Sequence, residues 1–236
     1  MRTVGILGGM SCQSTALYYA RLNASVQRRL GGLHSASLLI RSLDFAVVEA
    51  LQSQGDWERA GALLNREALA LERGGAEVLL LATNTMHKVV DRMMDSVTIP
   101  LLHVGDATAA AICEAGHTRA GLLATAYTME QTFMTDRLRA AGLTPVLPNG
   151  VDRAMTHRII YDELCKGVVR EQSRAAYVGI AERLVRDGGA DCLILGCTEV
   201  GMLLDSSNVS VPVFDTAHIH CDRAIELALA PEGYSL

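Results

Sequence analysis

GGAEVLLLATNTM (residues 74–86) and GGADCLILGCTEV (residues 188–200) align without a gap at an offset of 114. In each, Gly-Gly-Ala marks the end of a helix and an acid follows, Glu77 or Asp191. An apolar run then leads to Leu81 or Leu195, and a small residue opens a polar turn, Ala82-Thr83-Asn84-Thr85 or Gly196-Cys197-Thr198-Glu199. Two more pairs are collinear with this one: RTVGILGGMS (2–11) with TRAGLLATAY (118–127) at 116, and IPLLHVGDAT (99–108) with VPVFDTAHIH (211–220) at 112. Three collinear matches imply a duplicated unit. Short apolar runs at 4–7, 78–82, 101–104, 120–124, 192–195 and 211–214 alternate with segments of helical period, a βαβ rhythm. Continuous apolar runs are strands covered on both faces, as in a parallel sheet between helices. The expectation is therefore an α/β chain of two pseudosymmetric, Rossmann-like lobes with parallel sheets. The first lobe takes residues 1–98 plus 211–236, and the second takes 99–210. The alternative is one continuous doubly wound sheet whose turns merely look alike.

In an open parallel sheet, ligands bind at the carboxyl ends of the strands, where loops and helix N-termini present backbone N–H groups. Four such ends carry polar clusters: Gly8-Gly9-Met10-Ser11 with Ser14 and Thr15, Thr83-Asn84-Thr85, Thr125 with Thr128, and Cys197-Thr198-Glu199. Two facing lobes would bring them to one cleft, and hydroxyls with amides suit a carboxylate ligand. Helix capping is the other use for the same Ser and Thr residues. GILGG is not GxGxxG, so the dinucleotide fingerprint is absent. Cys197 follows Gly196 at a strand end and is expected to open a helix, whose dipole would favour a thiolate able to act as a base.

The remaining composition narrows the class. Of 236 residues, 50% are hydrophobic and 20% charged, which excludes a disordered chain. A net charge of −5 without a basic block argues against nucleic acid as a partner. No stretch approaches the ~18 apolar residues that span a bilayer, and MRTVGILGGMS is no signal sequence, so no membrane partner and a cytoplasmic location are expected. Six cysteines without a CxxC pair suggest neither a disulfide framework nor a zinc site. Cys12 reads as structural, and Cys113, Cys165, Cys192 and Cys221 as inert. His218-Ile219-His220-Cys221 lacks ligand spacing, so no metal is expected. His87 either orients a group in the site or snorkels on a helix.

With GILGGMSCQST, LLATNTMHK, GLLATAYTMEQTFM, LCKG and LILGCTEVG in this order, the sequence resembles the cofactor-independent aspartate/glutamate racemases over essentially its whole length. The resemblance implies two pseudosymmetric α/β lobes with the active site between them, a small amino-acid substrate, no cofactor and a homodimer. It implies proton transfer at Cα by two groups, usually one cysteine on each face of the carbon. Cys197 is the second-lobe group here, but Thr83 stands at the first-lobe position. A threonine hydroxyl is almost never ionised near neutral pH. It would therefore relay a proton or merely bind, as in one-base arylmalonate decarboxylases of the same superfamily, or the chain would be a non-catalytic amino-acid-binding protein. By motif position, Asn84, Thr85 and Thr198 would hold the α-carboxylate and ammonium, while Met10, Ser11, Thr125 and Thr128 would line the pocket. Gln52 and Lys166 are candidates for the side-chain carboxylate, which needs a partner once out of water; Lys166 reads equally well as a solvated lysine. Glu199 would sit behind Cys197 and tune or orient its neighbours.

Overall fold

A computed structural model describes residues 1–231. Two compact units emerge, Met1–His103 together with the residues from His220 on, and Val104–Ile219.

The first unit runs β1 (Val4–Gly8), α1 (Cys12–Leu30), β2 (Leu38–Ser42), α2 (Phe45–Ser53), α3 (Trp57–Arg73), β3 (Val78–Leu81), a 3₁₀ turn (Thr85–Val89), α4 (Val90–Met93) and β4 (Leu101–Leu102). The second runs α5 (Val104–Glu114), β5 (Arg119–Leu123), α6 (Ala126–Glu130), α7 (Thr132–Ala140), β6 (Thr144–Val146), α8 (Gly150–Asp162), a 3₁₀ turn (Leu164–Lys166), α9 (Glu171–Arg186), β7 (Cys192–Leu195), a 3₁₀ turn (Val200–Met202) and β8 (Val213–Asp215). Helix α10 (Thr216–Leu229) carries the chain from the second unit back to the first.

Each unit holds one four-stranded, all-parallel sheet, ordered β2-β1-β3-β4 or β6-β5-β7-β8. The registers match as well: Val4 pairs with Val78, and Ala120 with Cys192. The two-lobe α/β reading of the repeat is thus the fold found. Strands β1, β3 and β7 are buried throughout, as their unbroken apolar runs require. Over them lie the apolar faces of α3 (Ala60, Leu64, Ala68, Leu71) and α9 (Tyr177, Ile180, Ala181, Leu184). Glycine relieves crowding beside the neighbouring strand at matching places in both units. A Cβ on Gly5 would stand 2.8 Å from the Ala76 Cβ, and one on its counterpart Gly121 would stand 2.8 Å from Leu193 Cδ2.

Hydrogen bonding sets the limits of the units one strand later than the sequence suggests. Residues 99–103 carry β4, which is bonded to β3 and so stays with the first sheet, whereas residues 211–215 carry β8, bonded to β7 in the second. The return to the first unit falls within α10. There Tyr18 Oη bonds His220 Nδ1 at 2.8 Å, Ser25 donates to Asp222 at 2.8 Å, and the Arg2 amide reaches the Ala228 carbonyl at 2.8 Å.

Candidate active site

The first glycine turn is forced by crowding. Gly9 has φ +87°, and a Cβ there would lie 2.1 Å from the Leu43 carbonyl oxygen. Its amide donates to Thr15 Oγ1 at 2.7 Å. Ser11 caps α1, accepting from the Ser14 amide at 3.2 Å, and the Ser14 hydroxyl donates to the Ala82 carbonyl at 2.9 Å. These hydroxyls therefore cap α1 and pin its start to the end of β3. Met10 is buried in the same core as Val48 and Met86. Gln52, buried on α2, donates its side-chain amide to Met86 Sδ at 2.8 Å, which places it against the turn after β3.

At that turn Thr83, Asn84 and Thr85 are all buried. His87 Nδ1 lies 2.8 Å from the Thr83 carbonyl. A carbonyl only accepts, so Nδ1 carries the proton. The ring of His87 does not snorkel. It is buried edge-on against His103 and His220, with centroids 4.4 and 5.9 Å away. Burial, then the two neighbouring imidazoles, push its pKa well below the usual histidine range, so it is neutral and holds the Thr83 main chain in place.

In the second unit Thr125 caps α6 through the Thr128 amide at 3.3 Å, and their two hydroxyls stand 3.2 Å apart. Capping is thus what the hydroxyls of Ser11 and Thr125 do locally. His157 was not among the sequence candidates, yet its Nδ1 accepts from the Ala126 amide at 3.3 Å, beside this cap.

Cys197 lies two residues beyond β7. Its thiol donates to Glu199 Oε2 at 3.0 Å, and the Thr198 hydroxyl donates to the same oxygen at 2.5 Å. The expected helix does not begin at Cys197. The chain instead makes a turn and then three residues of 3₁₀ helix, Val200–Met202, too short to supply a useful dipole. The resting thiolate is corrected with it: burial first, then the charge of Glu199, then Cys165, push the Cys197 thiol well above the usual cysteine range. The resting group is a thiol hydrogen-bonded to a carboxylate.

Cys165 belongs to the same neighbourhood. It is half-buried, its thiol pushed up to about 12 by burial and then by Glu199. Tyr177 is wholly buried, donates to the Thr156 carbonyl at 3.1 Å, and is pushed upward by burial and then by Cys197 and Cys165. Cys165 and Cys197 are 32 positions apart, and the sequence carries no signal of this grouping. Lys166 ends its 3₁₀ turn exposed, and Gly167 after it turns left-handed at φ +72°. Its ammonium makes no ion pair among the described residues.

Removing the charge next to Cys197 should make the thiol easier to ionise. Glu199→Gln is expected to move the pH profile of Cys197 alkylation by iodoacetamide to lower pH, read by mass spectrometry of the Cys197 peptide. A profile that stays in place would mean that Glu199 does not set the thiol pKa.

The chain as a whole has counterparts in known proteins. The model of the Asp/Glu/hydantoin racemase family matches residues 7–224. The chain belongs to that racemase family. A Yersinia pestis structure assigned to the Asp/Glu racemases is 45% identical, with 98% of this chain and 100% of that one covered and a TM-score of 0.90. An aspartate racemase homologue from Pyrococcus horikoshii is 35% identical over 98% and 100% of the chains, with a TM-score of 0.84. The broad specificity amino-acid racemase RacX of Bacillus subtilis is 22% identical, with 96% of this chain and 98% of RacX covered. Among the described residues of this racemase-family chain, no helix is long and apolar enough to cross a membrane.

Proposed function

We propose that the protein interconverts the enantiomers of aspartate, glutamate or both, without pyridoxal phosphate, by removing and returning the Cα proton. The observation that carries this reading is the Cys197 thiol bonded to Glu199 at the end of β7, in the position that Thr83 holds at the end of β3. A Cα–H beside a carboxylate is a very weak acid, so the enolate-like dianion must be met by prearranged donors in a site poor in water. Asn84, Thr85 and Thr198 supply such donors at the α-carboxylate. Lys166 and Gln52 take the distal carboxylate.

Cys197 rests as a thiol, so it becomes a base only when its proton has somewhere to go. Glu199 Oε2 already accepts that hydrogen bond. Transfer to Glu199 leaves a thiolate and a carboxylic acid without changing the charge of the pair, and the thiolate then takes the Cα proton. Thr83 serves the other face of the substrate carbon and passes a proton from water through its hydroxyl. The working form is a homodimer. The names of the relatives support acidic amino acids first: one is an aspartate racemase homologue, and RacX is described as broad in specificity.

Proton NMR of the protein with L- and D-aspartate and L- and D-glutamate in deuterated buffer, followed by chiral analysis, tests the proposal. Loss of the α-proton signal with appearance of the opposite enantiomer is the expected result. Exchange with retained configuration would mean a single working base, and with it the one-thiol decarboxylase reading that Thr83 favours, to be checked by release of carbon dioxide from a malonate. No exchange of any of the four would leave an amino-acid-binding protein.

A further inference from the structure

At the opposite end of β7 from Cys197, one donor atom each from His117, Asp191 and Cys192 lies within 4.8 Å of the other two. We propose that this cluster binds one divalent d-block cation such as zinc, with water in the remaining position. The proposal is independent of the racemase reading.

The three residues reach one place by different routes. Cys192 opens β7 and Asp191 directly precedes it, while His117 lies just after the turn that ends α5, its ring edge-on to Phe214 of β8 at 5.7 Å. His117 Nδ1 is 3.7 Å from Asp191 Oδ1. Donor atoms around one tetrahedral zinc are about 3.3–3.8 Å apart for Zn–N and Zn–S bonds of ordinary length. The cluster is therefore close to a binding arrangement and needs only side-chain adjustment. Asp191 is already aimed: Oδ2 accepts from the Thr118 amide at 3.0 Å and its hydroxyl at 3.1 Å, and Oδ1 accepts from the Arg119 amide at 3.1 Å. The guanidinium of Arg119, at the start of β5, is turned onto the carbonyls of Gly188 and Gly189. The His117 and Asp191 side chains are 23% and 38% exposed, which leaves an ion a way in, while Cys192 is buried behind them.

The duplicated first unit serves as a control for what the fold itself requires. Glu77 there does the same work as Asp191, accepting from the Thr3 amide at 2.6 Å. The matching positions for Cys192 and His117 hold Val78 and Met1, neither a thiol nor an imidazole. The acid is thus demanded by the architecture, whereas imidazole and thiol occur only in the second unit. A mixed N, O and S donor set suits zinc, cobalt or nickel and not magnesium or calcium. Binding displaces the thiol proton of Cys192 to solvent.

Cobalt(II) tests the site without reference to catalysis. The full chain carrying Cys12→Ser and Cys113→Ser, which removes the exposed thiols, is titrated with cobalt(II) and followed by absorption. One ion per chain is expected, with a thiolate-to-cobalt charge-transfer band and the visible bands of a four-coordinate ion. Adding Cys192→Val, the residue that the first unit uses, should abolish the charge-transfer band, and His117→Gln should weaken binding at least about tenfold. Should Cys192→Val not fold, His117→Gln decides alone. Absence of a thiolate band in the parent, a band unchanged by Cys192→Val, or affinity unchanged by His117→Gln would overturn the proposal.

Discussion

Cys197→Ala is expected to lower the rate at which solvent deuterium enters the substrate α-position by about 10²–10⁴-fold or more, the range that a positioned acid or base contributes. The effect is large because no other thiol or hydroxyl at that strand end is poised to ionise. The Thr198 hydroxyl donates to the same Glu199 oxygen and is not ionised near neutral pH, and Cys165 is held protonated, pushed up to about 12. The fold should tolerate the change, since Cys197 packs only as a partly buried neighbour of the second core and its hydrogen bond is to a side chain. Binding of aspartate, read as a rise in melting temperature, should survive in Cys197→Ala, which separates lost chemistry from lost affinity. Exchange at the parent rate in this variant would remove Cys197 from the mechanism.

The second large effect is expected from Thr83→Cys, which places a thiol at both strand ends. The two enantiomers have equal free energy, so kcat/KM must be the same in both directions whatever the residues are. An asymmetry between Thr83 and Cys197 therefore shows in the separate kcat values and in the pattern of deuterium entry. With threonine, deuterium should enter unequally from L and D substrate. With cysteine, kcat in the slower direction should rise by up to about 10²-fold and the two patterns should converge. The backbone there should not move, because His87 holds the Thr83 carbonyl and not its side chain. Unchanged kcat values in both directions would mean that residue 83 does not face the carbon on which Cys197 acts.

Much of the architecture was legible because buried strands write themselves as unbroken apolar runs. The six strands anticipated from such runs are β1, β3, β4, β5, β7 and β8. The two missed, β2 and β6, are edge strands. So are β4 and β8, but in β2 the residues Arg41 and Ser42, and in β6 the residues Thr144 and Pro145, interrupt the apolar run. The strand-end clusters were legible for a similar reason: a polar residue directly after a buried strand has few purposes besides capping or binding.

The amino-acid sequence by itself determined the duplication, the parallel α/β class, and the equivalence of positions 83 and 197, since all three rest on local periodicity and collinear motifs. Only the tertiary structure decided the protonation of the site. Whether Cys197 rests as thiol or thiolate depends on burial and on a carboxylate 3.0 Å away, and whether His87 is charged depends on two imidazoles contributed by His103 and His220. Those energies depend on distances through space and on exclusion of water, and neither quantity is encoded in the spacing of residues along the chain. The same holds for His117 and Cys192, 75 residues apart in sequence and neighbours in the fold.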